Sequence, residues 1–172
     1  MDTDGMETAA VIDSVQAGHE QWMRLALAQA QLAAELGEVP VGAVAVWQNQ
    51  VIGQGYNRKE DSLDPTAHAE MIALRQAADY LKNWRLIDVT LYCTLEPCPM
   101  CAGAMIQARL PYLVYGAKDT RFGAHGSIVD VFSAEGFNHQ VDILPGILEN
   151  EAAELLQTFF RDLREKRSKQ QS

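Results

Sequence analysis

The run of residues from Val39 to Trp47 constrains the fold of this chain more than any other segment. Its nine residues are almost all apolar. Such a run predicts a strand that is covered on both faces, as in a sheet that lies between two layers of helices. The next residues, Gln48-Asn49-Gln50, predict a turn into a second strand from Val51 to Tyr56. Within that strand Gly53 and Gly55 indicate a bulge or the close approach of another backbone.

Helical patterns surround these two strands. Apolar and alanine residues recur at helical spacing from Glu20 to Leu36, and Gly37 provides the stop signal. Asp64-Pro65-Thr66 predicts the start of a helix that continues over 69–81. Further along, the pattern predicts strands at 91–95, 113–115 and 141–144, a helix at 98–108 and a glycine-rich loop at 116–127.

A last helix carries a wide apolar stripe, which we expect to pack on the sheet. The stripe consists of Ala152, Leu155, Leu156, Phe159, Phe160 and Leu163. Strands that alternate with helices in this way predict a layered α/β domain.

The length of 172 residues fits one domain, and an apolar fraction of 48% with a charged fraction of 22% is typical of a globular chain. We place the domain at 20–168. It follows an acidic extension at 1–19, either disordered or partly helical, and precedes a polar tail at 169–172. Three cysteines and no signal-peptide pattern predict a cytoplasmic protein. We expect no membrane partner, because no apolar run approaches the roughly 20 residues that span a bilayer.

Two short segments contain the residue types of a metal site, His68-Ala69-Glu70 and Pro97-Cys98-Pro99-Met100-Cys101. Two cysteines at this spacing lie on one side of the first turn of a helix, where they can share one ion and where the helix N-terminus stabilises thiolates. His68, at the start of another helix, can add a neutral imidazole. One nitrogen and two sulfurs are ligands that zinc accepts, and a set of three leaves a fourth position for water.

Glu70 follows His68 by two residues, which is close enough for it to exchange a proton with metal-bound water. Zinc lowers the pKa of such a water to about 7, so that a nearby carboxylate can transfer protons to a leaving group. The alternative is a closed structural site in which Cys93 supplies a fourth ligand. Glu70 favours the open site, because a structural site has no use for a carboxylate there.

The pattern His-x-Glu followed by Pro-Cys-x-x-Cys resembles the zinc-dependent nucleoside and nucleobase deaminases. A wider set of motifs is similar to the bacterial tRNA-specific adenosine deaminases, from about residue 20 to residue 164. These further motifs are Glu38-Val39-Pro40-Val41-Gly42-Ala43, Asn57, Asp64-Pro65-Thr66-Ala67, Arg85-Leu86-Ile87-Asp88, Thr94-Leu95-Glu96, Ala102-Gly103-Ala104-Met105 and Gly116-Ala117-Lys118-Asp119. The short signature is shared with cytidine and guanine deaminases, whereas the extended set is much more specific.

The resemblance implies a three-layer α/β/α fold with a central mixed sheet of about five strands, the cytidine deaminase-like fold. It also implies that His68, Cys98 and Cys101 hold one zinc ion per subunit. Glu70 is then the general acid and base of the reaction.

The implied reaction converts adenosine to inosine at the wobble position of a tRNA anticodon loop, with the tRNA lying across both subunits of a homodimer. By the same resemblance, Asn57 contacts the flipped base, and Val39 and Ala69 line the purine pocket. Asp119 and Arg121 are expected to bind the RNA substrate from the loop at 116–127. That loop departs from the family pattern at Arg121-Phe122 and at His125.

Other residues that could carry chemistry have a simpler interpretation. His19, His125 and His139 have no partner motif, and we predict that none is catalytic. Glu96 precedes a proline, where extended backbone is expected, and we interpret it as a loop residue. Three aromatic residues are predicted to pack in the core rather than to stack on bases. They are Tyr115, Phe122 and Phe132.

The net charge of −9 excludes a protein that coats nucleic acid through bulk positive charge. The charge is unevenly distributed, however: residues 1–20 carry −5, residues 97–127 carry +2 and residues 161–172 carry +3. This distribution leaves room for one small RNA loop at a shaped pocket. The alternatives are a deaminase of a free guanine- or cytosine-type substrate, and a non-enzymatic zinc module, against which Glu70 argues.

Overall fold

The computed structural model describes residues 4–170, with the side chains from residue 15 onward. Five helices and five strands occur in this part of the chain. The helices are α1 (Asp4–Glu35), α2 (Lys59–Ser62), α3 (Ala69–Leu81), α4 (Pro99–Gln107) and α5 (Glu149–Gln170). The strands are β1 (Gly42–Trp47), β2 (Gln50–Tyr56), β3 (Thr90–Leu95), β4 (Tyr112–Ala117) and β5 (Asp142–Leu144).

The strands form one mixed sheet in the order β2-β1-β3-β4-β5. The strand β1 is antiparallel to both β2 and β3, whereas β3, β4 and β5 run parallel. The helix α4 makes the crossover between the parallel strands β3 and β4. The prediction of a layered α/β fold around a mixed sheet of five strands is therefore confirmed.

The two faces of the sheet bury alternate residues of the same strands. In β1, Ala43 and Ala45 lie in the larger cluster, together with residues of α3 and α4. Val44 and Val46 lie in the second cluster, with residues of α1. Because β1 is covered on both faces, its sequence reads as a continuous apolar run rather than as an alternation.

Glycines in β2 allow the helix α3 to lie directly against the sheet. A Cβ atom at Gly53 would overlap the carbonyl oxygen of Ala73, and one at Gly55 would lie 2.6 Å from the carbonyl oxygen of Ala69. The register of β1 with β2 also shifts between Ala45 and Val46. The predicted close approach and the predicted irregularity therefore both occur. They bring the N-terminal end of α3 close to the sheet.

The predicted first helix is longer at its N-terminus than expected. It begins at Asp4 rather than at Glu20. The segment between these residues contains no proline, so nothing interrupts the helix before Gly37. Gly37 has a φ of +76°, the left-handed conformation of a helix stop. Residues 1–3 and 171–172 of the predicted extension and tail lie outside the described residues.

Two other predicted boundaries are wrong. The strand predicted from Val39 begins only at Gly42, because Pro40 has no amide hydrogen and the Val41 amide donates to the Val39 carbonyl in a tight turn. Asp64-Pro65-Thr66 does not start α3. The Asp64 carboxylate accepts hydrogen bonds from the amide and hydroxyl of Thr66, which closes a separate turn.

The predicted packing of the last helix on the sheet is confirmed. Its apolar stripe is buried at Ala152 and half-buried over the following turns, and α5 contacts β3 and β4. No helix in the described part of the chain is long and apolar enough to cross a membrane.

Candidate active site

The N-terminal ends of two helices meet beside the larger apolar cluster. His68 is the N-cap residue of α3, and Cys98 is the N-cap residue of α4, with Pro99 at the first helical position. Proline is favoured there because the amide that it lacks has no partner within the helix. Cys101 lies one turn further along α4 and is fully buried. The sheet therefore holds two motifs, 30 residues apart in sequence, at one place.

The donor atoms of His68, Cys98 and Cys101 form a compact group. The Nδ1 atom of His68 lies 3.6 Å from the sulfur of Cys98 and 3.5 Å from the sulfur of Cys101. All three donor atoms lie within 4.8 Å of one another. One imidazole nitrogen and two sulfurs at this separation can converge on one metal ion, and the combination is one that Zn²⁺ accepts.

The hydrogen bonds within this group favour a thiolate at Cys98. The hydrogen bond from Cys101, together with that from His68, lowers the pKa of the Cys98 thiol to about 4, although burial opposes the shift. The same hydrogen bond to Cys98 raises the pKa of the Cys101 thiol, because Cys101 is the proton donor. The hydrogen bond between His68 and Cys98 also raises the pKa of the His68 imidazole. A thiolate is the form of cysteine that binds a metal ion.

Glu70 lies in the first turn of α3, beside His68. Only 3% of the residue is exposed, and this burial raises the pKa of its carboxyl group above the ordinary value. The thiol of Cys93, on β3, is hydrogen-bonded to the Glu70 carboxylate. A buried carboxyl group next to a cation site can accept a proton and release it again near neutral pH.

Cys93 does not belong to the donor group. Among the described residues, the cluster that could hold a metal consists of His68, Cys98 and Cys101. Cys93 is fully buried in the core, where burial raises its pKa well above the ordinary value and keeps the thiol protonated. This arrangement favours the three-ligand site over the closed site with Cys93 as a fourth ligand.

Asn57 contacts the same helix end. Its side-chain oxygen Oδ1 accepts a hydrogen bond of 3.0 Å from the amide of Ala69, and both residues are buried. The backbone amide of Asn57 in turn donates a hydrogen bond to the carbonyl of Val41. Val39 is half-buried against the larger apolar cluster. Asn57 and Ala69 thus lie beside the candidate ligand His68, and Val39 packs against the larger cluster. The contact of all three with a base stays a prediction.

Asp119 and Arg121 lie in the loop after β4. The Asp119 carboxylate accepts hydrogen bonds from the amides of Arg121 at 2.9 Å and of Phe122 at 3.2 Å, which closes a tight turn. The exposed Arg121 guanidinium lies over the ring of Phe160 in α5, at 5.2 Å from its centroid. The structure thus gives Asp119 a role in shaping the loop, and RNA binding by either residue stays a prediction.

One aromatic prediction is wrong. Tyr115 is buried and Phe132 is half-buried, but Phe122 is 66% exposed. Phe122 follows the turn at Asp119, and its side chain faces solvent although the next residues, Gly123 and Ala124, are buried.

The other histidines have ordinary partners. His19 is hydrogen-bonded to the hydroxyl of Tyr92, and His125 to that of Tyr115, both at 2.9 Å. His139 contacts the carbonyl of Leu110 at 2.6 Å. That none of them is catalytic stays a prediction.

Sequence reasoning missed the role of Glu96. It does lie in a loop, directly after β3, but it is only 1% exposed and its carboxylate accepts hydrogen bonds from Asp119, His125 and Ser127. These hydrogen-bond donors lie 23 to 31 residues away in sequence, so no local sequence pattern predicts them. The nearest sequence signal is an acidic residue between an apolar strand and a proline.

The chain matches the family model of the MafB19-like deaminases over residues 17–164. It is 43% identical over 148 residues to the tRNA-specific adenosine deaminase of Bacillus subtilis (strain 168), a match that covers 86% of this chain and 92% of that protein. It is also 46% identical over 158 residues to the chloroplastic tRNA(adenine(34)) deaminase of Arabidopsis thaliana, covering 83% of this chain and 12% of that longer protein.

Solved structures agree with these matches. One comes from a study of A-to-I editing by tRNA:A34 deaminases at the wobble position of transfer RNA. It is 45% identical, with a TM-score of 0.77, covering 79% of this chain and 99% of that one. A guanine deaminase from Nitrosomonas europaea is 22% identical, with a TM-score of 0.67, covering 81% of this chain and 83% of that one. The second likeness extends to the fold alone.

Proposed function

The chain belongs to the MafB19-like deaminase family and to the tRNA-specific adenosine deaminases, and we propose that it deaminates the wobble adenosine of a tRNA anticodon loop to inosine. The observation that carries the proposal is the group formed by His68, Cys98 and Cys101 with the buried Glu70 beside it. An anticodon loop is single-stranded, so the target base can be extruded into a pocket without opening a duplex.

The donor set fits one Zn²⁺ per subunit. When bound, zinc supplies a water whose pKa is about 7 and which is therefore a nucleophile at neutral pH. In the reaction, water adds to C6 of adenine and the amino group leaves as ammonia. Glu70 takes a proton from the attacking water and delivers it to the leaving nitrogen. Burial suits Glu70 for this role, because it raises the pKa of the carboxyl group towards neutrality.

Asn57 and Ala69 orient the base in this proposal. The Oδ1 atom of Asn57 accepts a hydrogen bond from the Ala69 amide, which fixes the side chain, and we assign the contact with the purine to its side-chain nitrogen. The same hydrogen bond fixes the first turn of α3, which carries Glu70. Val39 lines the pocket from the segment before β1.

The proposal also includes a cytoplasmic homodimer with one zinc ion per subunit. Its support is the likeness to the bacterial tRNA-specific enzyme over nearly the whole of that protein. Light scattering should give twice the mass of the chain.

Elemental analysis should find one zinc ion per chain, lost in Cys98→Ser and retained in Cys93→Ser. Loss of zinc from the Cys93 variant would instead support the closed site.

The decisive experiment is a deamination assay with an anticodon stem-loop that bears a wobble adenosine. The purified protein should release ammonia and form inosine, and Glu70→Ala should abolish both. A stem-loop with guanosine at the wobble position is the matched substrate control. Turnover of free guanine or cytidine without turnover of the stem-loop would contradict the proposal and favour the free-base deaminase.

A further inference from the structure

The Glu96 carboxylate lies at the centre of the loop formed by residues 119–127. Its Oε2 atom accepts hydrogen bonds from the Asp119 amide at 3.0 Å and from the Ser127 hydroxyl. Its Oε1 atom accepts hydrogen bonds from the amide of His125 at 2.9 Å and from that of Ser127 at 3.3 Å. One side chain thus contacts both ends of the loop.

These contacts satisfy a buried charge completely. A carboxylate offers about four acceptor positions, and the loop supplies four donors. With 1% of the residue exposed, an ionised Glu96 without these donors would be strongly unfavourable.

Glu96 also connects the loop to the candidate metal ligands. It lies two residues before Cys98, and its own amide donates to the carbonyl of Ala117 at the end of β4. The amide of Ala124 donates to the carbonyl of Pro97 at 2.9 Å. The loop and the start of α4 are therefore joined by both backbone and side-chain hydrogen bonds.

The loop packs against Glu96 so closely that one position requires a glycine. A Cβ atom at Gly123 would lie 2.5 Å from Oε2 of Glu96 and 2.5 Å from the carbonyl oxygen of Asp119. Such a distance is far below van der Waals contact. The neighbouring side chains of Arg121 and Phe122 are exposed. The backbone at Gly123 is therefore packed against Glu96 while the two side chains before it face solvent.

From these contacts we propose that Glu96 is a positioning residue for the RNA substrate. Its carboxylate holds the 119–127 loop at a fixed place beside Cys98, so that the exposed Arg121 and Phe122 meet the nucleotides that flank the reacting adenosine. The proposal rests on the proposed function for the identity of the ligand. It assigns Glu96 no contact with the reacting atoms.

The test compares Glu96→Ala, Glu96→Gln and Gly123→Ala with the wild type. In Glu96→Gln the carbonyl oxygen can keep the two hydrogen bonds at the Oε1 position, from the amides of His125 and Ser127. The NH2 group at the Oε2 position can only donate, so the Ser127 hydroxyl must become the acceptor and the Asp119 amide loses its partner. Gly123→Ala keeps the Glu96 carboxylate in the chain but places a methyl group against it and against the Asp119 carbonyl, which displaces the loop. Glu135→Ala is the matched control, since Glu135 is an exposed carboxylate in the next segment of the chain.

Steady-state kinetics with the stem-loop should separate positioning from a general structural effect. If removal of the carboxylate leaves about a tenth of the molecules with the loop correctly placed, KM rises about tenfold. We expect this rise in Glu96→Ala and Gly123→Ala, with kcat within about twofold of wild type. The KM of Glu96→Gln should lie between those of Glu96→Ala and the wild type, because glutamine keeps the acceptor for His125 and Ser127 but not the one for Asp119, and Glu135→Ala should behave as wild type. Lower kcat or lower melting temperature at unchanged KM would overturn the proposal.

Two further measurements do not depend on turnover. Amide hydrogen exchange of Asp119 and His125 should accelerate in Glu96→Ala, while zinc content stays at the wild-type value. Fluorescence anisotropy with the labelled stem-loop should show the same weakening as KM. If the wild type binds the stem-loop but does not deaminate it, the proposed function fails and the anisotropy comparison still decides the role of Glu96. Unchanged amide exchange and unchanged affinity for the stem-loop in Glu96→Ala would refute the positioning role of Glu96.

Discussion

The hydrogen bond between Asn57 and the start of α3 allows a quantitative prediction. In Asn57→Ala, the Ala69 amide loses its acceptor in a place where Ala69 is fully buried and Asn57 is only 6% exposed. Because both residues are buried, we expect the amide to be left without an equivalent acceptor. A buried donor without a partner costs about 1–3 kcal/mol, so we expect the free energy of unfolding to fall by about 2 kcal/mol.

Asn83 provides a matched control. Its Oδ1 atom accepts a hydrogen bond of 3.0 Å from the amide of Arg85, the same length and chemistry as the bond at Asn57, but Asn83 is exposed. Water can take the place of its side chain, and Asn83→Ala should lower the free energy of unfolding by less than about 0.5 kcal/mol.

Urea unfolding followed by circular dichroism measures both variants without RNA, at equal zinc content. The midpoint should fall clearly in Asn57→Ala with an unchanged slope, and the melting temperature should fall by about 6 °C for a chain of this size. Equal shifts in the two variants would refute the reasoning, because the argument depends on burial rather than on the hydrogen bond as such.

Three other predictions follow from the geometry. Glu70→Gln keeps the shape of the side chain but removes the proton acceptor, so kcat on the stem-loop should fall by about 10²–10⁴-fold at unchanged zinc content. Gly53→Ala places a methyl group on the Ala73 carbonyl, and urea unfolding should show a loss of about 1–3 kcal/mol, whereas alanine at the open Gly18 should not destabilise. Burial lowers the pKa of His19, so the unfolded chain binds the proton more readily. Stability is therefore lost as the pH falls from 6.5 towards the folded pKa, and His19→Gln should show a smaller drop in melting temperature between pH 7.5 and 5.5. An equal drop in both proteins would contradict this assignment.

Much of the fold could be predicted because its signals are local. The apolar run that forms β1 extends over a few residues, and the helix pattern predicted over 69–81 matches the bounds of α3. Two boundary errors occurred where a nearby group changed the local backbone structure. Asp64 forms its own turn with Thr66 instead of capping α3, and Pro40 delays the start of β1.

The candidate site was predictable in its chemistry, since the spacing of Cys98 and Cys101 on one helical turn is a property of the sequence itself. Whether His68 reaches the same place is a different question. The answer depends on the order of strands in the sheet, which places the start of α3 beside the start of α4. The family motif indicated that His68 joins the two cysteines, and the structure places its Nδ1 atom within 3.6 Å of both sulfurs.

The sequence by itself determined which segments form strands and helices and which residue types could hold a metal ion. Only the tertiary structure decided that Phe122 is exposed, that Cys93 lies outside the donor group, and that Glu96 holds the 119–127 loop. The physical reason is the range of the interactions. Periodicity and capping act within a few residues, whereas the donors to Glu96 come from residues 23 to 31 positions later, brought to it by the parallel pairing of β3 with β4.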